Sequence, residues 1–124
     1  MGHYKGTKCT YNDFTFDSID EKNYYIKLIS DNRVEDLLGH PKFILLDGFR
    51  NYEGKALRSI TFKPDFMYKI AGQVYIDDVK PINKNLIDAD FSIRWKLLQH
   101  MYKDQDIKFR LMAWDKKKCE FVEM

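Results

Sequence analysis

The chain is poor in cysteine. Its two, Cys9 and Cys119, sit near opposite ends without CxxC or Cys/His spacing, which argues against a structural zinc site and suits a reduced, cytoplasmic setting. His3, His40 and His100 also lack metal-ligand spacing. No run approaches the ~18 apolar residues of a membrane span, and no hydrophobic signal region opens the chain. Met1-Gly2 is followed by Gly6 where a myristoylation signal has Ser or Thr. No membrane partner and no targeting address are expected. Repeats, low-complexity runs and linker composition are absent, so residues 1–124 are expected to form a single domain, with 1–9 a flexible basic arm carrying Lys5 and Lys8. The formal net charge of +2 is too small to mark a polyanion binder, and any such site must be local.

Aromatic residues are plentiful. They make up 15% of the chain beside 32% charged residues, a balance that suits a folded β-containing core kept in solution by its surface. A short strand is expected over 11–16. Ser18-Ile19-Asp20-Glu21 then matches a capping box and opens a helix with Tyr24, Tyr25, Leu28 and Ile29 inward, ending near Ser30. Extended segments over 33–38 and 42–46 are separated by Gly39-His40-Pro41, and 47–54 is rich in turn residues. Pro81 stops a later strand, and Asp88-Ala89-Asp90 opens a second helix with Phe91, Trp95, Leu98 and Tyr102 at helical spacing. A last strand over 107–114 gives way to a turn at 115–118 and a charged tail. Strands flanked by two helices imply an α/β (α+β) domain, a central mixed sheet flanked by the two helices.

The chemistry is concentrated in the middle. Ala71-Gly72 lies between two runs rich in Val, Ile, Tyr and Phe, the pattern of a β-hairpin. Centring the loop there sets Asp65 directly across from Asp78, with Lys80 following on the same face and Asp77 on the other. A two- or four-residue loop keeps this register, and a three-residue loop shifts it by one. Ile60, Phe62, Phe66 and Tyr68 form an apolar face, and Thr61, Lys63, Asp65 and Met67 a mostly polar one. Facing carboxylates repel unless a positive charge sits between them, and a hard divalent cation is the usual solution.

Pro64-Asp65 followed by Asp78-Val79-Lys80 resembles the motif of the PD-(D/E)XK nuclease superfamily. Phe16-Asp17-Ser18 with Glu21, the strand at Pro41-Lys42-Phe43 and the Asp77-Asp78-Val79-Lys80 strand resemble a family of small phage-borne proteins related to junction-resolving endonucleases. The resemblance covers roughly residues 14–98. It implies a restriction-endonuclease-like core and Mg²⁺- or Mn²⁺-dependent hydrolysis of DNA phosphodiesters. It further implies branched DNA as substrate, a homodimer to cut two strands, and the host cytoplasm as location if phage-encoded. Carried over by position, Asp65, Asp78 and Glu21 would hold the metal, and Lys80 would orient or activate the attacking water. Two departures stand out: Asp78 occupies a position where glutamate is commoner, and Pro81 one where glycine is expected.

Plainer roles compete with these. Glu21 could be only the capping partner of Ser18, and one side chain is not expected to fill both roles. Asp65, Asp78 and Lys80 could be a solvated strand face. Lys63, Lys84, Arg94 and Lys96 border the motif as candidate phosphate contacts, Arg94 favoured by the resemblance, although helix-surface charges are ordinarily just solvated. Lys116-Lys117-Lys118 is a basic run partly cancelled by Glu120 and Glu123, and no aromatic residue is assigned to nucleic acid. The rivals to a junction endonuclease are a nicking or restriction-type nuclease and a non-catalytic DNA- or protein-binding module.

Overall fold

The computed structural model describes residues 9–11 and 14–124. The expected basic arm lies outside them except for Cys9. The elements run β1 (Cys9–Tyr11), β2 (Phe14–Phe16), α1 (Ile19–Ile29), β3 (Val34–Gly39), β4 (Phe43–Leu46), β5 (Phe49–Arg50) and β6 (Ala56–Leu57). They continue with β7 (Ile60–Phe62), β8 (Phe66–Ile70), β9 (Gln73–Val79), a 3₁₀ turn (Lys84–Leu86), α2 (Ala89–Met101), β10 (Ile107–Asp115) and β11 (Glu120–Glu123).

The fold is α+β, built on a five-stranded mixed sheet in the order β11-β10-β9-β8-β3. Its β8–β9 hairpin has the expected register, with Phe66 opposite Asp77 and Ile70 opposite Gln73 around a two-residue loop. Ala71 and Gly72 both have positive φ, 50° and 80°. This is the turn sense that matches strand twist, and Ala is strained in it where Gly is not. From β9 the chain crosses through α2 and returns parallel as β10, because parallel neighbours need a long connection.

Side-chain alternation sorts the sheet into two covered faces. Phe66, Tyr68 and Val79 pack with Met112 against Tyr24 and Leu28 of α1. Ile76, with Met67 beside it, packs on the other side against Phe91, Trp95 and Leu98 of α2. The expected polar face is thus corrected: a helix covers it, so Met67 and Ile76 are core there, and only its Asp65–Asp78 end is polar. Ile29, expected inward, is exposed. The run 60–70 is two strands, β7 pairing with β4 and β8 with β3, broken at Lys63-Pro64-Asp65. Residues 47–57 hold the small β5–β6 ribbon, and the expected charged tail closes the sheet edge as β11. Among the described residues no helix is long and apolar enough to cross a membrane.

Candidate metal centre

Three segments of the chain converge at the end of the hairpin. Pro64, buried, has no N–H to offer a ladder and ends the pairing of β7, so Asp65 enters β8 from a bend. There it clasps the partner strand: the Asp65 N–H donates to Asp78 Oδ2 at 3.2 Å, and the Val79 N–H donates to Asp65 Oδ2 at 2.8 Å. Lys80 keeps the strand going for one more residue through its N–H to the Met112 carbonyl, 2.9 Å, before Pro81 ends it. The proline therefore leaves Lys80 aimed back at the site. Its Nζ lies 2.8 Å from Asp78 Oδ1 and 3.8 Å from the centre of the Phe91 ring. Asp78 Oδ1 is buried without a well-angled hydrogen bond, and the Lys80 ammonium is its counter-charge.

Glu21 reaches the same place from α1. Ser18 caps this helix, its hydroxyl accepting from the Glu21 N–H at 3.1 Å. The Glu21 carboxylate divides its two oxygens. Oε2 accepts from the Asp17 N–H at 3.3 Å, and Oε1 lies 2.7 Å from His40 Nε2. Sequence reasoning set helix capping and site membership against each other, yet the residue bonds the helix entrance with one oxygen and faces the site with the other.

Sequence reasoning missed two members of the site, Asp17 and His40; the second is the more distant in the chain. His40 follows β3, whose Gly39 pairs with Phe66, so strand pairing sets it beside Asp65. Its φ is +52°, and its N–H donates to the Asp65 carbonyl at 2.8 Å. Its Nε2 lies 3.8 Å from Asp65 Oδ1. Only its place between a strand-ending glycine and a proline could have flagged it.

The electrostatics are those of crowded, buried acids. Burial pushes Asp65 well above the usual carboxylate range, and the charges of Asp78 and Glu21 push it further than Lys80 can offset. Asp78 is raised by burial and held back by Lys80. For Lys80, burial works to lower the value, but Asp78 and Asp65 outweigh it and keep the ammonium charged. His40 is raised chiefly by its bond to Glu21. Such a cluster fits a divalent cation: hard carboxylate oxygens crowd together at an energetic cost that positive charge relieves. Asp17, Glu21 and His40 have ligand atoms all within 4.8 Å of one another. That tight group shares only Glu21 with the expected Glu21, Asp65 and Asp78: Asp17 and His40 complete it, Asp65 borders it through the imidazole at 3.8 Å, and Asp78 lies outside it.

Asp77, on the opposite face as expected, is fully buried. It accepts from Tyr24 at 2.5 Å and Tyr68 at 2.6 Å, and binds Arg110 through both oxygens at 3.0 and 2.9 Å. Tyr24 lies one turn beyond Glu21, so this network fastens α1 to three strands near the site. Burial, then the Asp77 charge, raises both phenols.

The expected phosphate contacts sit on three different segments of the chain. Lys63, Lys84 and Lys96 are exposed, on the β7–β8 connection, the 3₁₀ turn and α2. Arg94 is half-buried and structural: its Nη1 donates to the Thr61 carbonyl at 2.6 Å, tying α2 to β7, and its Nη2 lies 3.6 Å from Asp90. No curated protein and no solved structure matches the chain. The family described as "Protein of unknown function (DUF1064)" matches residues 1–118, and the chain belongs to that family.

Proposed function

We propose that the protein is a Mg²⁺- or Mn²⁺-dependent endonuclease of the PD-(D/E)XK type, hydrolysing DNA phosphodiesters at branched substrates as a homodimer. The observation that carries the reading is the meeting of Glu21, Asp65, Asp78 and Lys80, separated in sequence, around one buried acidic end of the sheet. Asp65, Asp78 and Glu21 would hold the cation, with His40 and Asp17 adjoining. When bound, the cation would neutralise phosphate charge and favour hydroxide over water. Lys80, fixed by Asp78 and the Phe91 ring, holds a permanent positive charge where negative charge grows on the scissile phosphate. His40 holds Glu21 in place. Two such sites, one per protomer, suit a substrate with two strands to cut.

A second reading has its own support. Asp65 and Asp78 each accept a backbone N–H of the facing strand, Lys80 neutralises Asp78, and Glu21 bonds His40 and Asp17, an arrangement that also suits a non-catalytic binding module. A divalent-cation titration of cleavage, run on junction, flap and linear duplex DNA, separates the readings. Cleavage should require Mg²⁺ or Mn²⁺, favour branched DNA, and be lost in Asp78→Asn with DNA binding kept or strengthened. Turnover persisting in Asp78→Asn overturns the assignment. Cation-independent binding with no cleavage of any substrate favours the module, and equal cutting of linear duplex favours a restriction-type enzyme.

A further inference from the structure

Between α1, the end of β9 and the end of β10 lies an open cleft of about 570 Å³, within the ~300–1,000 Å³ of ordinary small-ligand sites. Its wall includes Pro81, the residue after Lys80, and Asp20, the residue before Glu21, so two of its lining residues are bonded directly to members of the cluster. Ile82 and the Trp114 indole supply apolar surface. Trp114 is half-buried, its ring braced edge-on against Phe121 with centroids 5.1 Å apart. Lys116 and Lys117 close the rim. Asp115 also lines it, but its Oδ1 accepts the N–H groups of Lys117 and Lys118 at 2.9 and 3.3 Å. That carboxylate is thus turned to the loop backbone, while both lysine side chains are exposed. A braced aromatic face, apolar Pro81 and Ile82, and two lysines against the single Asp20 carboxylate suit a ligand with one flat aromatic part and one anionic part.

We propose that this cleft is a subsite for one unpaired nucleotide of the DNA strand next to the scissile phosphate, its base against Trp114 and its phosphate toward Lys116 and Lys117. The proposal rests on the nuclease reading and deepens it by naming what the enzyme recognises in a branch. A paired base is stacked above and below and has no free face to offer Trp114; a base at a flap or junction has one. Preference for branched DNA then follows from the cleft. Nothing local singles out Trp114, because its bracing by Phe121 exists only through the pairing of β11 with β10.

The test is binding in EDTA, by anisotropy, of a labelled duplex with and without a short unpaired flap. Wild-type protein should favour the flapped duplex roughly tenfold, the scale of one base–aromatic stack. The preference should collapse toward unity in Trp114→Ala and be largely retained in Trp114→Phe. Flap DNA should quench wild-type tryptophan fluorescence, and the quench should disappear in Trp114→Phe, which keeps the core Trp95. Lys116→Gln/Lys117→Gln, which leaves the indole in place, should weaken flap binding and flatten its salt dependence. Equal wild-type affinity for the two duplexes, an unchanged preference in Trp114→Ala, or an unchanged salt dependence in the lysine variant overturns the subsite. Cleavage plays no part in this readout, so an enzyme that cuts DNA without flap preference loses only the subsite. A protein that prefers flaps but never cuts with Mg²⁺ or Mn²⁺ loses only the nuclease reading.

Discussion

At the residue scale, Asp65 carries the largest electrostatic tension in the site. An acid whose folded pKa is raised above its unfolded value of about 4 favours the protonated form on folding. Its contribution to stability is present below the unfolded pKa and is lost as pH rises through the higher folded one. In EDTA, Asp65→Asn should therefore melt above wild type at neutral pH, with the difference shrinking toward about pH 4. The amide oxygen can still accept the Val79 N–H, so the comparison isolates the charge. Melting curves of both proteins across that range check the sign; an Asn variant less stable than wild type at pH 7 would mean Asp65 is compensated by partners other than those described. Asp65, Asp78 and Lys80 were legible in the sequence because a period of two and a turn signal suffice to bring them together. His40 was not, since nothing local links position 40 to position 65; only the β3–β8 pairing does.

Elements show the same division between local and distant signals. Both helices begin where their caps indicate, at Ser18 and Asp88, because capping is written in four consecutive residues. Glu120-Phe121-Val122-Glu123 is short and charged and carries no strand signal of its own; it becomes β11 only through β10. The β8–β9 turn retains a local fault. Ala71 sits at φ 50° where Asn or Gly is at ease, so Ala71→Asn should stabilise the protein by about 0.5–1 kcal/mol, seen as a small rise in melting temperature. The Asp77 network makes the opposite prediction. Tyr24→Phe removes a hydrogen bond to a buried carboxylate and should cost about 2 kcal/mol, lowering the denaturant midpoint. Asp77→Ala should cost more, about 3–5 kcal/mol, because it strands the Arg110 charge. If Tyr24→Phe is neutral, α1 is held by apolar packing alone.

For the whole molecule, the two covered sheet faces explain how so many acids are kept together. Packing against α1 on one side and α2 on the other fixes the hairpin end rigidly, so the carboxylates cannot relax apart. A cation bound there would relieve the tension and stabilise the folded chain by its affinity and concentration; at a hundred times its dissociation constant the gain would be about 2.7 kcal/mol. The central claim, that this acidic end is a divalent-cation site built across the hairpin, is tested most directly by melting wild-type protein and Asp65→Asn/Asp78→Asn against rising Mg²⁺ and Mn²⁺. Wild-type melting temperature should climb with cation concentration while the double variant stays flat. A wild-type curve indifferent to both cations, or a double variant that climbs equally, would contradict it.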